Sequence, residues 1–600
     1  MTAQDDAIAK GYDATLMRRL LQYLRPYWLW VIVAFIAIVG GSLADLVQPW
    51  LTAKAIDDHI AVKDLEGLWR LGRWFLLILI TSFVFEYIQT SVMQTVGQKI
   101  LHTVRRDVFT HLQRLDVKFY DRNPVGRLMT RVTTDVDALN DMFSSGVVTV
   151  FGDLIMLFGI VAIMIAMDWR LALVAFSVLP FIAWATAWFR RNVRENYRQV
   201  RGLVAKLNAF LQEHLTGMGT VQLFSQQARS YRQFETINRE HRDVNIQSIY
   251  YYALFYPIIE VLAALSGALI ILAGGWWALD DQVSIGVLVA FLQYSRRFFQ
   301  PISDLSEKFN ILQAAMAASE RIFGLLDTPV EMPTPAASAD RRFGGPGRIE
   351  FDRVWFAYKD DEFVLRDVSF VAEPGQRIGI VGATGSGKTT IISLLLRFYD
   401  VTQGRILVDD IDVREWPLEQ LRTRFGLVLQ DVHLFSGTIS SNIRLGREDI
   451  SDEAVWQAAK AVHADRFIDL LPQGYDTPVA ERGATLSVGQ KQLLSFARAL
   501  AFDPAVLVLD EATSSIDTET EGLIQDALHT LMAGRTVFAI AHRLSTIQDM
   551  DHILVVHKGK IRESGTHQEL LALGGIYCKL WEVRPLTAPT SSDPSPAAAP

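Results

Sequence analysis

The stretch Gly382-Ala383-Thr384-Gly385-Ser386-Gly387-Lys388-Thr389 has the spacing G-x-x-x-x-G-K-[ST]. Glycines so placed let a backbone wrap until several N–H groups and a helix N-terminus face phosphate oxygens, where the helix dipole favours negative charge. Lys388 adds a point charge for the outer phosphates and Thr389 a hydroxyl for a magnesium ion. Thr390 opens the apolar run that follows and is counted with the nucleotide-binding residues. The run Arg377–Val381 before the loop reads as a strand and Thr390–Leu396 after it as a helix, which is the context the motif requires.

Two further stretches offer chemistry to a nucleotide. Val506-Leu-Val-Leu-Asp510-Glu511 reads as a buried strand ending in acids. Asp510 there can help hold magnesium and Glu511 can polarise an attacking water as general base; a pair of helix-capping acids is the competing reading. In Leu486-Ser487-Val488-Gly489-Gln490-Lys491-Gln492, Ser487, Gly489 and Gln490 stand at the start of an apolar helix and make a second anion site. Plain capping is the alternative, but a second phosphate-binding helix start is hard to explain by one nucleotide held from one side.

The elements that must position these residues make up a chain of 600 residues, too long for one core. Half of the residues are hydrophobic and only 21% are charged, as expected of a chain partly dissolved in lipid. A net charge of -8 argues against nucleic acid as a partner. The single cysteine, Cys578, excludes an intrachain disulfide and reads as an ordinary small apolar residue in a cytosol-facing protein. No cleavable signal is evident.

In chain order, Asp13–Leu24 reads as an amphipathic helix on the membrane face, with Leu16, Leu20, Leu21 and Leu24 on one side and arginines on the other. Six apolar segments long enough to span a bilayer follow, near Tyr27–Leu46, Trp74–Val92, Val147–Met167, Leu171–Phe189, Ala253–Leu279 and Ile285–Ile302. The third and fourth form a tight hairpin across Asp168-Trp169-Arg170. Eight basic residues between Lys99 and Arg131 and ten between Arg190 and Arg242 place both long loops, and both termini, in the cytoplasm. Within those loops helical spacing continues from Met93 to Leu115 and from Val193 to Phe224. Phe119–Arg127 and Gly217–Val221 carry the proline and glycines that end a helix and allow a short transverse piece. Helix continues to about Leu326, then a Pro-rich linker from Asp327 leads at Arg348 into alternating strands and helices. Pro585–Pro600 reads as a disordered tail.

This constellation resembles the ATP-binding domain of ABC transporters from Arg348 to about Trp581, and the membrane half resembles the exporter branch of that superfamily. The fold so implied is an all-α six-helix transmembrane domain followed by an α/β P-loop domain. The implied bounds are 1–26 for the N-terminal helix, 27–317 for the membrane domain, 318–347 for the helix end and linker, 348–582 for the ATP-binding domain and 583–600 for the tail. The resemblance implies ATP and Mg2+ as cofactors, with ATP sandwiched between the phosphate loop of one domain and the Ser487 helix of a partner. It implies that Tyr358, 24 residues before Gly382, stacks on adenine. Gln430 would touch magnesium and the attacking water, Asp517 would communicate with the opposite site, and His542 would contact the γ-phosphate. The two loop breaks match coupling helices, and Glu481-Arg482-Gly483 the segment that meets them.

One position departs from the family pattern: Val488 stands where glycine is usual. A β-branched residue at a helix start that must approach a phosphate is stiffer and bulkier than glycine. With Glu511 and His542 intact, this resembles the catalytically complete subunit of bacterial heterodimeric exporters. A homodimer that tolerates the valine is the alternative. The resemblance implies ATP-driven export of drugs, lipids or peptides across the bacterial inner membrane. An exporter-fold importer of metal chelates and a nucleotide-gated regulator stay open beside it, although Glu511 favours a pump. Among the polar residues near membrane depth, Asp45, Gln48, Glu86, Asp153 and Glu260, the last is the preferred cavity candidate and would favour cationic amphiphiles.

Overall fold

The computed structural model describes the chain apart from residues 1–12, 331, 333–343, 360–361, 511–517, 541–546 and 583–600. Most of the expected linker and the expected tail lie outside the described residues. Two compact units emerge, one formed by Met1–Gln113 with Val125–Thr328 and the other by Arg114–Pro124 with Pro329–Pro600.

Helices α1 (Ala14–Gln22), α2 (Trp28–Lys54), α3 (Leu65–Arg114), α4 (Val117–Arg122), α5 (Val125–Thr130) and α6 (Val136–Asp141) come first. They are followed by α7 (Val147–Met167), α8 (Trp169–Phe176), α9 (Leu179–Thr216), α10 (Met218–Leu223), α11 (Gln227–Leu279) and α12 (Ile285–Leu326). Among the described residues five helical runs are long and apolar enough to cross a membrane: Arg25–Ile60, Leu65–Arg114, Val125–Met167, Trp169–Thr216 and Gln227–Leu279. The expected sixth span falls in α12, a helix of 42 residues that is not among those five. At 1.5 Å per residue, the 53 residues of α11 reach roughly 80 Å, far beyond a hydrocarbon layer of about 30 Å. The expected helical continuations from Met93 and from Val193 are present in α3, to Arg114, and in α9, to Thr216.

The fourth span departs from expectation. It is divided between α8 and α9 because Pro180, near the start of α9, has no N–H to donate and its ring crowds the preceding turn. The hairpin before it is as expected, with the Asp168 carboxylate accepting from the N–H groups of Arg170 and Leu171, both at 2.9 Å. The two loop breaks also fall as expected: Asn123-Pro124 separates α4 from α5, and Gly217 ends α9 where α10 begins.

The stripe on α1 differs too. Asp13 caps it, accepting from the Thr15 N–H at 2.8 Å, but the buried side chains are Met17 and Leu20, and Leu21 is exposed. The face is set by the end of α12. Arg19 pairs with Asp327 at 2.6 and 2.8 Å and lies 4.2 Å over the Phe323 ring, so one arginine shares the packed face instead of opposing it.

The second unit is α/β. Strands β1 (Ile349–Ala357), β2 (Phe363–Ala372), β4 (Gln403–Val408) and β5 (Ile411–Asp412) form an antiparallel sheet in the order β2-β1-β4-β5. Strands β3 (Arg377–Val381), β6 (Phe425–Val428), β9 (Val506–Asp510), β10 (Thr536–Ile540), β11 (His552–His557) and β12 (Lys560–Gly565) form a second sheet in the order β12-β11-β3-β10-β9-β6. It is parallel except at β12. A two-residue pair joins β7 (Gly437–Thr438) to β8 (Pro478–Val479).

Helices α13 (Lys388–Leu395), α14 (Leu418–Thr423), α15 (Ile439–Arg444), α16 (Asp452–Ala461), α17 (Asp465–Ile468), α18 (Val488–Ala501), α19 (Thr518–Met532), α20 (His567–Ala572) and α21 (Ile576–Glu582) complete the unit. The uninterrupted apolar runs follow from burial on both faces. Val506 and Val508 enter the core shared with the antiparallel sheet, while Leu507 and Leu509 enter the core shared with α15, α16 and α18.

Candidate nucleotide-binding site

The phosphate loop closes the carboxyl end of β3. Gly387 caps α13 with φ of 108°, a conformation that side-chain-bearing residues rarely adopt, and a Cβ there would come 2.7 Å from Leu365 Cδ2. No side chain caps α13. Lys388 is buried and its Nζ donates to the carbonyls of Gly382 at 2.9 Å and Ala383 at 3.1 Å, so its ammonium lies over the mouth of the loop. Ala383, Thr384, Gly385 and Thr389 are exposed, whereas Ser386 and Thr390 are buried. Ser386 Oγ is buried without a hydrogen-bond partner. An orphaned hydroxyl is costly to bury, and one beside a backbone cradle and a cation fits a phosphate-binding function.

Strand register gathers the other candidates at the same edge. Ile540 of β10 pairs with Ile380 on one side and Asp510 on the other, so Asp510 stands level with the end of β3, two strands and roughly 10 Å away. Val428 of β6 pairs with Leu509, and Gln430 follows it, exposed, past the same edge. Tyr358 follows β1 yet reaches α13, its hydroxyl 3.1 Å from Thr390 Oγ. Glu511, Asp517 and His542 lie outside the described residues. In the chain Glu511 directly follows β9, and His542 comes two positions after β10. The oxygen donors of Thr389, Gln430 and Asp510 suit a hard divalent cation such as magnesium.

The second anion candidate has different geometry. Ser487 caps α18 in a reciprocal box: its Oγ accepts from the Gln490 N–H at 3.2 Å, and Gln490 Oε1 accepts from the Ser487 N–H at 2.9 Å. The capping reading of these two residues is therefore correct. It does not exclude the phosphate reading, because an accepting hydroxyl keeps a proton to donate. Gly489 is buried, while Val488 is 58% exposed on the outer turn. Glu481 and Arg482 are exposed and Gly483 is buried.

The sequence reading missed two features. Arg498 of α18 donates to the carbonyl of Asn442 at 2.9 Å and to that of His433 at 3.2 Å, tying the helix to the stretch after Gln430; burial pushes its guanidinium pKa down. Tyr399 packs against Tyr358 with ring centroids 5.1 Å apart. Its only sequence signal is an aromatic residue just past the end of α13.

In the membrane unit most of the polar candidates are engaged. Asp45 accepts from Gln48 at 2.9 Å and Ser82 at 2.8 Å, and Arg297 donates to the Asp45 carbonyl and to Gln48 Oε1, both at 2.7 Å. Lys308 pairs with Asp153. Glu86 on α3 and Glu260 on α11 are exposed.

Comparison with known proteins agrees with this geometry. Residues 31–302 match the family described as ABC transporter transmembrane region, and residues 365–514 match that described as ABC transporter. An uncharacterized ABC transporter ATP-binding protein of Bacillus subtilis is 38% identical over 98% of this chain and 97% of its own length. A probable multidrug resistance ABC transporter ATP-binding/permease protein of the same organism is 39% identical over 84% of this chain and 75% of its own. An ATP-dependent lipid A-core flippase of Chromohalobacter salexigens is 36% identical over 95% of this chain and 98% of its own.

Proposed function

The chain belongs to the ABC transporter family, and from that premise we propose that it works as one half of a heterodimer exporting amphipathic small molecules across the bacterial inner membrane. It is an exporter-type half transporter, a multi-pass membrane protein whose ATP-binding domain couples ATP hydrolysis to transport. In our reading α12 supplies a sixth span, residues 27–317 form the membrane domain and residues 348–582 the ATPase domain, which lies in the cytoplasm. The observation that carries the reading is the convergence of the phosphate loop, Asp510 and Gln430 at one edge of a parallel sheet, in a chain that also has membrane-spanning helices.

In the cycle we propose, ATP binds the backbone cradle at 382–387 and Lys388, with the adenine against Tyr358. The Ser487 helix of a partner closes over it, and closure turns the membrane cavity outward through the α4 and α10 segments. Glu511 orients the attacking water, while Lys388 and His542 stabilise the charge developing on phosphate. Magnesium held by Thr389, Gln430 and Asp510 would neutralise phosphate oxygens. Hydrolysis then releases the closed pair.

The heterodimer rests on Val488 at the first turn of α18. Purified alone, the chain should show low turnover that rises on coexpression with the product of a neighbouring transporter gene. Strong drug-stimulated turnover by the chain alone would establish a homodimer instead. Transport in inside-out vesicles tests direction and cargo. Glu260→Gln should weaken transport of a cationic dye, and unchanged transport removes Glu260 from the cavity.

A further inference from the structure

Tyr358 is held from three sides within the second unit. Its hydroxyl meets Thr390 of α13 at 3.1 Å, and its carbonyl accepts from Arg122 of α4 at 3.2 Å. Its ring forms a perpendicular pair with Tyr399, at 89°. Phe356 closes the cluster, with centroids 4.8 Å from Tyr358 and 5.6 Å from Tyr399. Edge-to-face pairs of this kind fix mutual ring orientation as well as burying area. Tyr399 is itself anchored, because its hydroxyl donates to the carboxylate of Asp121, also on α4. Both α4 contacts with this tyrosine pair therefore come from two adjacent residues of a six-residue helix.

Tyr399 is nearly buried, whereas Tyr358 keeps 37% of its surface exposed. A buried hydroxyl that merely fills space is costly, since phenylalanine would pack there without needing a partner. Here the hydroxyl joins the segment between two membrane-unit helices to the wall of the nucleotide site. We propose that Tyr399 is a positioning residue: through its hydrogen bond to Asp121 it holds the Tyr358 ring in the orientation that receives the nucleotide base. This rests on the reading of Tyr358 as the base-stacking residue. By linkage, whatever displaces α4 changes affinity for the base, and base binding biases the position of α4 by the same factor.

The test separates base from phosphate. With the full chain in lipid nanodiscs, dissociation constants are measured for AMP-PNP and for inorganic tripolyphosphate. Tyr399→Phe keeps the ring and removes the hydroxyl, and Asp121→Ala removes its acceptor. Each should weaken AMP-PNP about three- to tenfold, the range of one lost hydrogen bond, and leave tripolyphosphate within about twofold. The double variant should be no weaker than the worse single one, as for residues sharing one interaction. Unchanged AMP-PNP affinity in Tyr399→Phe, or an equal loss for both ligands, overturns the proposal. Tyr358→Ala identifies which layer has failed. If it leaves the ratio of the two constants unchanged, the stacking reading falls and the proposal with it. If it changes the ratio while Tyr399→Phe does not, the proposal alone falls.

Discussion

Helices α13 and α18 both begin where a phosphate is expected, and they begin differently. The first is capped by a left-handed glycine with no side chain across its N-terminus. The second is closed by its own serine and glutamine. A helix start without a side-chain cap presents its amides to an incoming anion. A self-capped start already satisfies two of its N–H groups and keeps the amides of its first two residues, a hydroxyl proton and its dipole to offer. The contrast explains how one chain can hold the two halves of a nucleotide site for different purposes. On the function proposed above, the α13 loop would bind phosphate through its own amides, whereas the α18 end, closed by its own cap, would complete a site on a partner.

Breaking the α13 side should have the largest effect. Lys388→Ala, which removes the buried ammonium at the loop, should lower ATPase turnover at least about 100-fold, the scale of losing a charge-stabilising group. Phosphate release from the purified transporter measures it. Next is Val488→Gly in the chain expressed alone. If the valine blocks close approach, turnover should rise about tenfold, the effect of roughly 1.4 kcal/mol; no rise would mean that the two helix starts do not meet in the way the contrast requires.

Ser487→Ala should cost about 1 kcal/mol of stability through the lost cap and be visible as a lower melting temperature. AMP-PNP affinity of the same chain's phosphate loop should not change. A loss of affinity there would show that the Ser487 helix of this chain, or of a second copy of it, closes on this phosphate loop, against the heterodimer. Gln490→Ala, which opens only the return half of the box, should cost no more than about half of that.

Much of this arrangement was legible before any coordinates. The strands at β1, β3, β9 and β10 agree with the apolar runs to within a residue or two; in β3, β9 and β10 burial on both faces leaves few polar positions to blur them, and in β1 buried and partly exposed residues largely alternate. Glycine and proline marked both loop breaks, since their backbone limits act locally. What stayed hidden depended on neighbours distant in sequence. The face of α1 is chosen by Phe323 and Asp327, and Tyr399 acquires its significance from Asp121, 278 positions earlier. The Ser487 and Gln490 pair bears out the capping reading, and the anion reading stays beside it as a proposal because both use the same helix start. Pro180 was visible, but the apolar run around it masked the break it makes between α8 and α9.

The join between Arg19 and Asp327 spans 308 positions of chain. During synthesis, α1 therefore emerges and must wait for every membrane helix to be made before its partner exists. At about 5–20 residues per second, that interval is roughly 15 to 60 seconds. Over that time α1 has no α12 to pack against. The clasp is then a late event in biogenesis: its closure reports that the whole membrane half has been laid down.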